Sequence, residues 1–411
     1  MNDNIYVIDA GQNYMMINID SLEYVMIPKN EILNFSCDEK LRVKLSYVDR
    51  FNPVSCKEII EPTIITSFNC NYSCEYCFEH GIERCHERLL PQDIPLIMDF
   101  YQAYCKRYSF PFTFGALTIM GGEPLLPENR ETLEHISELW PDSLLKITTN
   151  GTYIEEYSDY IINNKVQFKV SVDGTEEIHF KRRRCQQKDA YEKAIKGISM
   201  LLNNQINTTI VTVFDPENIE DYPRFFDLLE GIGWLRVPEL TVGFVLEIGC
   251  GGDDIAADNV IRALKAFRKL KSIDKRTYYV NAQKLVPGCL NLVEAIMEAQ
   301  QKIYDPYRCA CLGSPDFTFF PDGTIHLCTA FQNSSGCVGR YKPNIEIDQE
   351  KIELFRKRRI DTMSKCKKCS MKALCRGGCA ATVMKKLGNP LGVCCELWES
   401  PLFLEYFETV L

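Results

Sequence analysis

Between residue 62 and about residue 250 the chain alternates short β-branched runs with helical stretches, six runs in all. The runs are residues 62–67 (PTIITS), 116–122 (ALTIMGG), 144–150 (LLKITTN), 167–174 (QFKVSVDG), 208–214 (TTIVTVF) and 240–249 (LTVGFVLEIG). Residues 94–108, 131–140, 189–202 and 223–233 read as the helices between them. Repeated β/α alternation implies parallel strands with helices packed outside, in a barrel or an open sheet. Six units fall short of the eight that close a barrel.

The flanks differ from this centre. Residues 1–61 are rich in aromatic and β-branched residues and alternate well enough to predict a small sheet. After about residue 290 the alternation fades and cysteines crowd in, which reads as loops and short hairpins tied together by metal. Three regions follow: 1–61, 62–290 and 291–411.

Twenty cysteines in 411 residues are the anomaly of composition. The start, MNDNIYVIDAG, has no basic segment followed by an apolar one, so a signal peptide is not expected. No apolar run approaches the ~18 residues needed to cross a membrane. The expected location is the cytoplasm, where a chain of this size needs no disulfide framework, so clustered cysteines point to metal. The net charge of −9 argues against nucleic-acid affinity. Two basic runs, residues 181–184 and 356–359, read as solvated helix faces or anion contacts.

Polar and glycine-rich signals fall where the strands end: residues 69–77, 121–123, 149–151 and 171–174. In parallel α/β folds those ends form the ligand face, so the four describe one site. The first holds Cys70, Cys74 and Cys77, three thiols in one loop. Four-iron clusters usually take four cysteines; three leave an iron open to a substrate. Zinc sites usually close all four positions, which is the competing reading. Tyr76, just before the last thiol, is placed either to lie against a planar ligand such as adenine or to anchor the loop.

This set of motifs resembles the radical S-adenosylmethionine (radical SAM) enzymes. Cys70, Cys74, Tyr76 and Cys77 match the family's C-x3-C-x-aromatic-C loop, and Gly121, Gly122, Glu123 and Pro124 match its GGEP motif. Ser171 to Gly174 look like its ribose-contacting S-x-D-G turn, and His179 and Arg183 like the H-x3-R element that follows. The resemblance implies a partial (β/α)6 TIM-like barrel. It implies that Glu123 pairs with the methionine ammonium, while glycines let the backbone approach. It also implies that Arg183 meets the carboxylate and Ser171 the ribose, unless Arg183 belongs to a surface charge run. The implied chemistry is reductive cleavage of S-adenosylmethionine to a 5′-deoxyadenosyl radical, which abstracts hydrogen from an unactivated C–H bond.

Cys366, Cys369, Cys375 and Cys379 follow C-x2-C-x5-C-x3-C. Upstream stand Cys309, Cys311 and Cys328, and downstream the pair Cys394–Cys395. This resembles the SPASM domain, an extension holding two auxiliary clusters, and implies three [4Fe-4S] clusters in all. By position one auxiliary cluster takes Cys309, Cys311, Cys328 and Cys379. The other takes Cys366, Cys369, Cys375 and Cys395, or Cys394 in its place. A zinc ribbon is the alternative for this region.

Enzymes of this kind mostly modify peptides. Two branches compete. The anaerobic sulfatase-maturating (formylglycine-forming) branch has an Asp after the cysteine at position 328, whereas this chain has Thr329. The other matures ribosomal precursor peptides, often through an N-terminal strand-rich module that grips a leader; residues 1–61 suit that role or simply cap the barrel. The expected function is an oxidoreductase installing a crosslink, a Cys thioether first, with epimerisation and carbon–carbon or carbon–oxygen bonds as alternatives. Its partners are a leader-bearing precursor and a reductant such as flavodoxin or ferredoxin. No side chain is assigned as catalytic base. The non-enzyme alternative, an electron carrier, has no use for an amino-acid site at residues 121–123.

Overall fold

The protein is described from a computed structural model covering the backbone of residues 5–10, 13–18 and 24–28, together with residues 59–77, 79, 87–108, 113–215, 218–246, 262, 265–266, 316–331, 336–367, 369 and 377–395. The first strands, β1 (Ile5–Ala10), β2 (Asn13–Asn18) and β3 (Tyr24–Pro28), form an antiparallel meander, with Ile5 opposite Asn18 and Asn13 opposite Pro28. This is the small sheet that the alternation of residues 1–61 predicts.

Strand and helix then alternate. The elements are β4 (Ile59–Ile60), β5 (Thr63–Ile65), β6 (Tyr72–Cys74), α1 (Ile94–Tyr108), β7 (Thr113–Phe114), β8 (Leu117–Met120) and α2 (Arg130–Leu139). There follow β9 (Leu145–Thr149), α3 (Ser158–Ile162), β10 (Val166–Ser171), α4 (Glu176–Arg182), β11 (Arg183–Cys185), α5 (Ala190–Asn203), β12 (Thr208–Phe214), α6 (Tyr222–Gly231) and β13 (Leu240–Leu246). All six runs anticipated from the sequence are parallel strands of one sheet, in the order β5-β8-β9-β10-β12-β13. The architecture is the α/β partial barrel expected. One face is fully buried: Ile64, Ile119, Ile147, Phe168, Val170 and Ile210 are all shielded from solvent, whereas Lys169 on the other face is exposed.

The free edge beside β5 departs from expectation. It is taken by β14 (Thr318–Phe319), parallel to β5, with Thr318 opposite Thr63. From there β15 (Thr324–His326), β16 (Cys337–Arg340) and β17 (Glu346–Ile347) continue the sheet antiparallel. The carboxy-terminal region therefore extends the barrel sheet instead of hanging from it. Among the described residues three helices follow, α7 (Gln349–Arg356), α8 (Ser364–Lys367) and α9 (Ala380–Leu387). The expected boundary near residue 290 lies outside the described residues.

Aromatic packing holds β14 in place. α1 buries Ile97, Phe100, Tyr101 and Tyr104 on its inner face. The Phe100 ring meets Phe317 edge-on at 5.7 Å and Phe319 at 5.6 Å, and the backbone N–H of Phe317 donates to the Tyr101 hydroxyl at 3.3 Å. Each such ring pair adds about 0.5–1.5 kcal/mol beyond burial. Lys342 reaches back to Asp93 at 2.8 Å, largely out of solvent. Among the described residues no helix is long and apolar enough to cross a membrane.

Candidate active site

The four strand-end motifs meet through hydrogen bonds. Gly122 N–H donates to the Ser67 carbonyl at 2.8 Å, and Glu123 N–H to the Asn69 carbonyl at 2.7 Å, so the turn after β8 lies on the chain leading into the cysteine loop. A Cβ on Gly122 would stand 2.1 Å from the Asn69 oxygen, and one on Gly121 would stand 2.4 Å from that of Ser67. No side chain fits at that distance, and Gly121 also has a φ of 150°. The close approach that the glycines permit is thus to the cysteine loop's own backbone.

Glu123 is wholly buried. Its carboxylate accepts from the Thr149 hydroxyl at 2.6 Å, Asn150 N–H at 2.7 Å and Leu125 N–H at 2.9 Å. Burial raises its pKa, and the donors from Asn150, Thr149 and Leu125 oppose that rise. Asn150 continues the chain of contacts: its side-chain amide donates to Asn71 Oδ1 at 2.7 Å and lies 3.9 Å from the Cys70 sulfur. Thr149 and Asn150 stand in the strand-end signal, but their ties to Glu123 could not be assigned before β8 and β9 were placed side by side.

A second chain of contacts runs from the loop to the ends of β10 and β12. The Tyr76 hydroxyl donates to the buried carboxylate of Asp173 and accepts from Arg183 Nη1 at 2.8 Å. Asp173 also accepts from Val213 N–H at 2.9 Å. Of the two roles weighed for Tyr76, these contacts are those of an anchor. The Arg182 guanidinium lies 5.0 Å from its ring centre and pairs with Asp215.

The basic run at residues 181–184 is not one solvated face. α4 ends at Arg182, the backbone turns extended at Arg183, and β11 pairs antiparallel with β6, setting Arg183 opposite Cys74. Arg182 and Arg183 are therefore buried, whereas Arg184 projects outward to Glu75. His179 is also fully buried. Its Nδ1 accepts from Asp173 N–H at 3.3 Å, which leaves the ring proton on Nε2 to donate to the Tyr72 hydroxyl at 3.3 Å. Burial first, and Arg183 second, hold its pKa well below the ordinary histidine range, so the ring is a neutral strut. Ser171 ends β10, half-buried.

Cys70, Cys74 and Cys77 share one cluster with Tyr72, Tyr76 and Cys185. Burial pushes the Cys70 thiol up to about 12, with the Glu123 carboxylate adding to it, and burial pushes Cys77 up to about 11. Thiols this hard to ionise alone become ligands when a metal displaces their protons. Among the described residues, no three His, Cys, Asp or Glu side chains converge as they would round a single ion. A cubane takes its cysteines at separate corners, and three sulfurs on one half-buried loop suit that donor set.

In the carboxy-terminal region, Cys366 is buried and its thiol pKa is raised by burial first, then by neighbouring Cys395 and Cys369. Cys369 N–H donates to the Cys366 carbonyl at 3.0 Å, closing a tight knuckle. Cys379 is exposed and opens α9, and Cys328 is half-buried beyond β15. Cys309, Cys311 and Cys375 lie outside the described residues.

Residues 64–229 match the radical SAM superfamily. The AdoMet-dependent heme synthase of Methanosarcina barkeri is 27% identical over 296 residues, 67% of this chain and 80% of that protein. The solved structure of anSMEcpe with bound AdoMet and Kp18Cys peptide superposes with a TM-score of 0.64 at 18% identity, covering 85% of this chain and 96% of that one. Streptococcus suis SuiB bound to precursor peptide SuiA superposes with a TM-score of 0.58 at 15% identity, covering 96% of this chain and 98% of that one. At these identities the two structures share the fold.

Proposed function

Because residues 64–229 match the radical SAM superfamily, we propose that the chain is a radical SAM peptide maturase that removes a hydrogen atom from a ribosomal precursor and installs a crosslink, a Cys thioether first. The observation that carries the reading is the joining of three strand-end loops beside three thiols through Glu123, Asn150 and Asn71, and of the fourth through Tyr76 and Asp173. Peptides bound to anSMEcpe and to SuiB, across 85% and 96% of this chain, support a peptide substrate.

When bound, a four-iron cluster and S-adenosylmethionine supply the 5′-deoxyadenosyl radical. Cys70, Cys74 and Cys77 are the residues to hold the cluster. Glu123 is the acceptor for the methionine ammonium: a carboxylate has about four lone-pair sites and three are filled. Arg183 is the partner for the carboxylate, and Ser171 for the ribose. Tyr76 and Asp173 keep the loop shut against β10. Closing a thioether from a carbon radical and a thiol releases one proton to solvent and one electron. The auxiliary cysteines, Cys309, Cys311, Cys328 and Cys379 for one centre and Cys366, Cys369, Cys375 and Cys395 for the other, are the ligands of the redox centres that receive it. A leader on residues 1–61 and a flavodoxin- or ferredoxin-type reductant complete the scheme.

The test is mass spectrometry of the short peptide encoded beside the gene, after reaction with reduced, cofactor-loaded enzyme. The expected product has lost two hydrogens and one alkylatable thiol. The same loss with every thiol still alkylatable means a carbon–carbon or carbon–oxygen bond, and an unchanged mass with solvent deuterium incorporated means epimerisation. A Cys or Ser converted to formylglycine would revive the sulfatase-maturating reading despite Thr329. A second reading, a tetrapyrrole substrate, is favoured by the 27% identity to the heme synthase; turnover of an iron-porphyrin precursor with an untouched peptide would establish it.

A further inference from the structure

Arg358 stands in the basic run at residues 356–359, yet it is 1% exposed. Its Nη1 donates to the carbonyls of Pro390 at 2.7 Å and of Gly392, and lies 3.8 Å from the Met363 sulfur. Its Nη2 donates to the carbonyl of Gly377 and, at 3.5 Å, to that of Gly378. One guanidinium thus ties three separate segments. Met363 precedes Cys366 by three residues, Gly377 follows Cys375 by two, and Gly392 precedes Cys395 by three. Gly377 and Gly378 adopt φ values of 81° and 77°, turning both carbonyls to the arginine, and a Cβ on Gly377 would stand 2.5 Å from Met363 Cε. Glycine is therefore required for the turn and for the approach.

We infer that Arg358 is the positioning residue of the auxiliary centre that draws on Cys366, Cys369 and Cys395, fixing its ligand segments and raising its reduction potential. The inference rests on the cluster reading of those cysteines. The planar fork of arginine satisfies several acceptors in fixed directions, which a lysine ammonium cannot do. Carbonyls orient the guanidinium without cancelling its charge. A fixed cation beside a thiolate-bound cluster favours the reduced, more negative state, since net charge and hydrogen bonding set the potentials of such clusters. Met363, 3.8 Å from the guanidinium, packs in one buried group with Cys366.

The test uses the full chain, reconstituted anaerobically in a Cys70→Ala/Cys74→Ala/Cys77→Ala background so that only carboxy-terminal centres report. Iron and sulfide are counted, and potentials are read by redox titration followed by electron paramagnetic resonance. Arg358→Gln is expected to lower the midpoint potential of one centre and change its line shape. Arg358→Lys, which keeps the charge, is expected to bring the potential back toward that of the background while retaining less iron. A background potential and line shape in Arg358→Gln would overturn the inference, as would equal iron loss in both variants with the remaining signal unchanged. Should Arg358→Gln fail to fold, full iron and an unaltered line shape in Arg358→Lys would overturn it. A background protein with neither iron nor sulfide would overturn the cluster reading itself, a result distinct from clusters indifferent to Arg358.

Discussion

Cys74→Ala is expected to fold, to keep iron at its carboxy-terminal cysteines and to release no 5′-deoxyadenosine above background. Cys74 ends β6, buried, opposite Arg183. Removing a small buried sulfur costs about 1 kcal/mol of stability, a typical value for one substitution, so the loss is of a ligand and not of the fold. With two thiols left in the loop, the cluster loses one of its three protein-held corners. Iron should fall by one cluster's share while the signals of the other centres persist. Anaerobic iron analysis with chromatographic detection of 5′-deoxyadenosine measures both quantities on one sample. Continued release of 5′-deoxyadenosine by the variant would remove Cys74 from the radical-forming centre.

Glu123→Gln is expected to weaken S-adenosylmethionine binding by roughly ten- to a hundredfold, because a hydrogen bond to a charged group contributes about 1.5–3 kcal/mol. The substitution also disturbs the site from within. The carboxylate accepts from Asn150 N–H at one oxygen, and from Thr149 and Leu125 at the other. A glutamine must turn its NH2 toward one of those donors, and an unsatisfied buried group costs about 1–3 kcal/mol. Equilibrium binding, measured beside thermal unfolding, separates the two effects. Lower stability with unchanged affinity would leave Glu123 a strut between β8 and β9 and exclude it from the ligand site.

The parallel core was legible because its signals are local. Each strand of the parallel sheet, β5, β8, β9, β10, β12 and β13, carries its own β-branched run, and α1 coincides with the stretch expected at residues 94–108. The ligand face was legible for the same reason, since polar residues follow each strand directly. Long-range pairings were not. β14 is a two-residue strand whose neighbour, β5, lies more than 250 positions earlier, and no period can develop in two residues. The H-x3-R element pointed to Arg183 as a site residue, but the run at residues 181–184 gave no hint that Arg182 would turn inward with it while Arg184 stays out, because that depends on β11 finding β6. Arg358 was hidden likewise: its acceptors are backbone carbonyls, which no side-chain pattern reveals. The double employment of Asn150, on Glu123 and toward Cys70, needed two adjacent strand ends in register.

The most direct test is the fate of S-adenosylmethionine on the wild-type chain. Anaerobically reconstituted protein, reduced with dithionite and given its peptide, should convert S-adenosylmethionine to methionine and 5′-deoxyadenosine in equal amounts. Protein with intact clusters that leaves S-adenosylmethionine uncleaved in the presence of substrate would contradict the account.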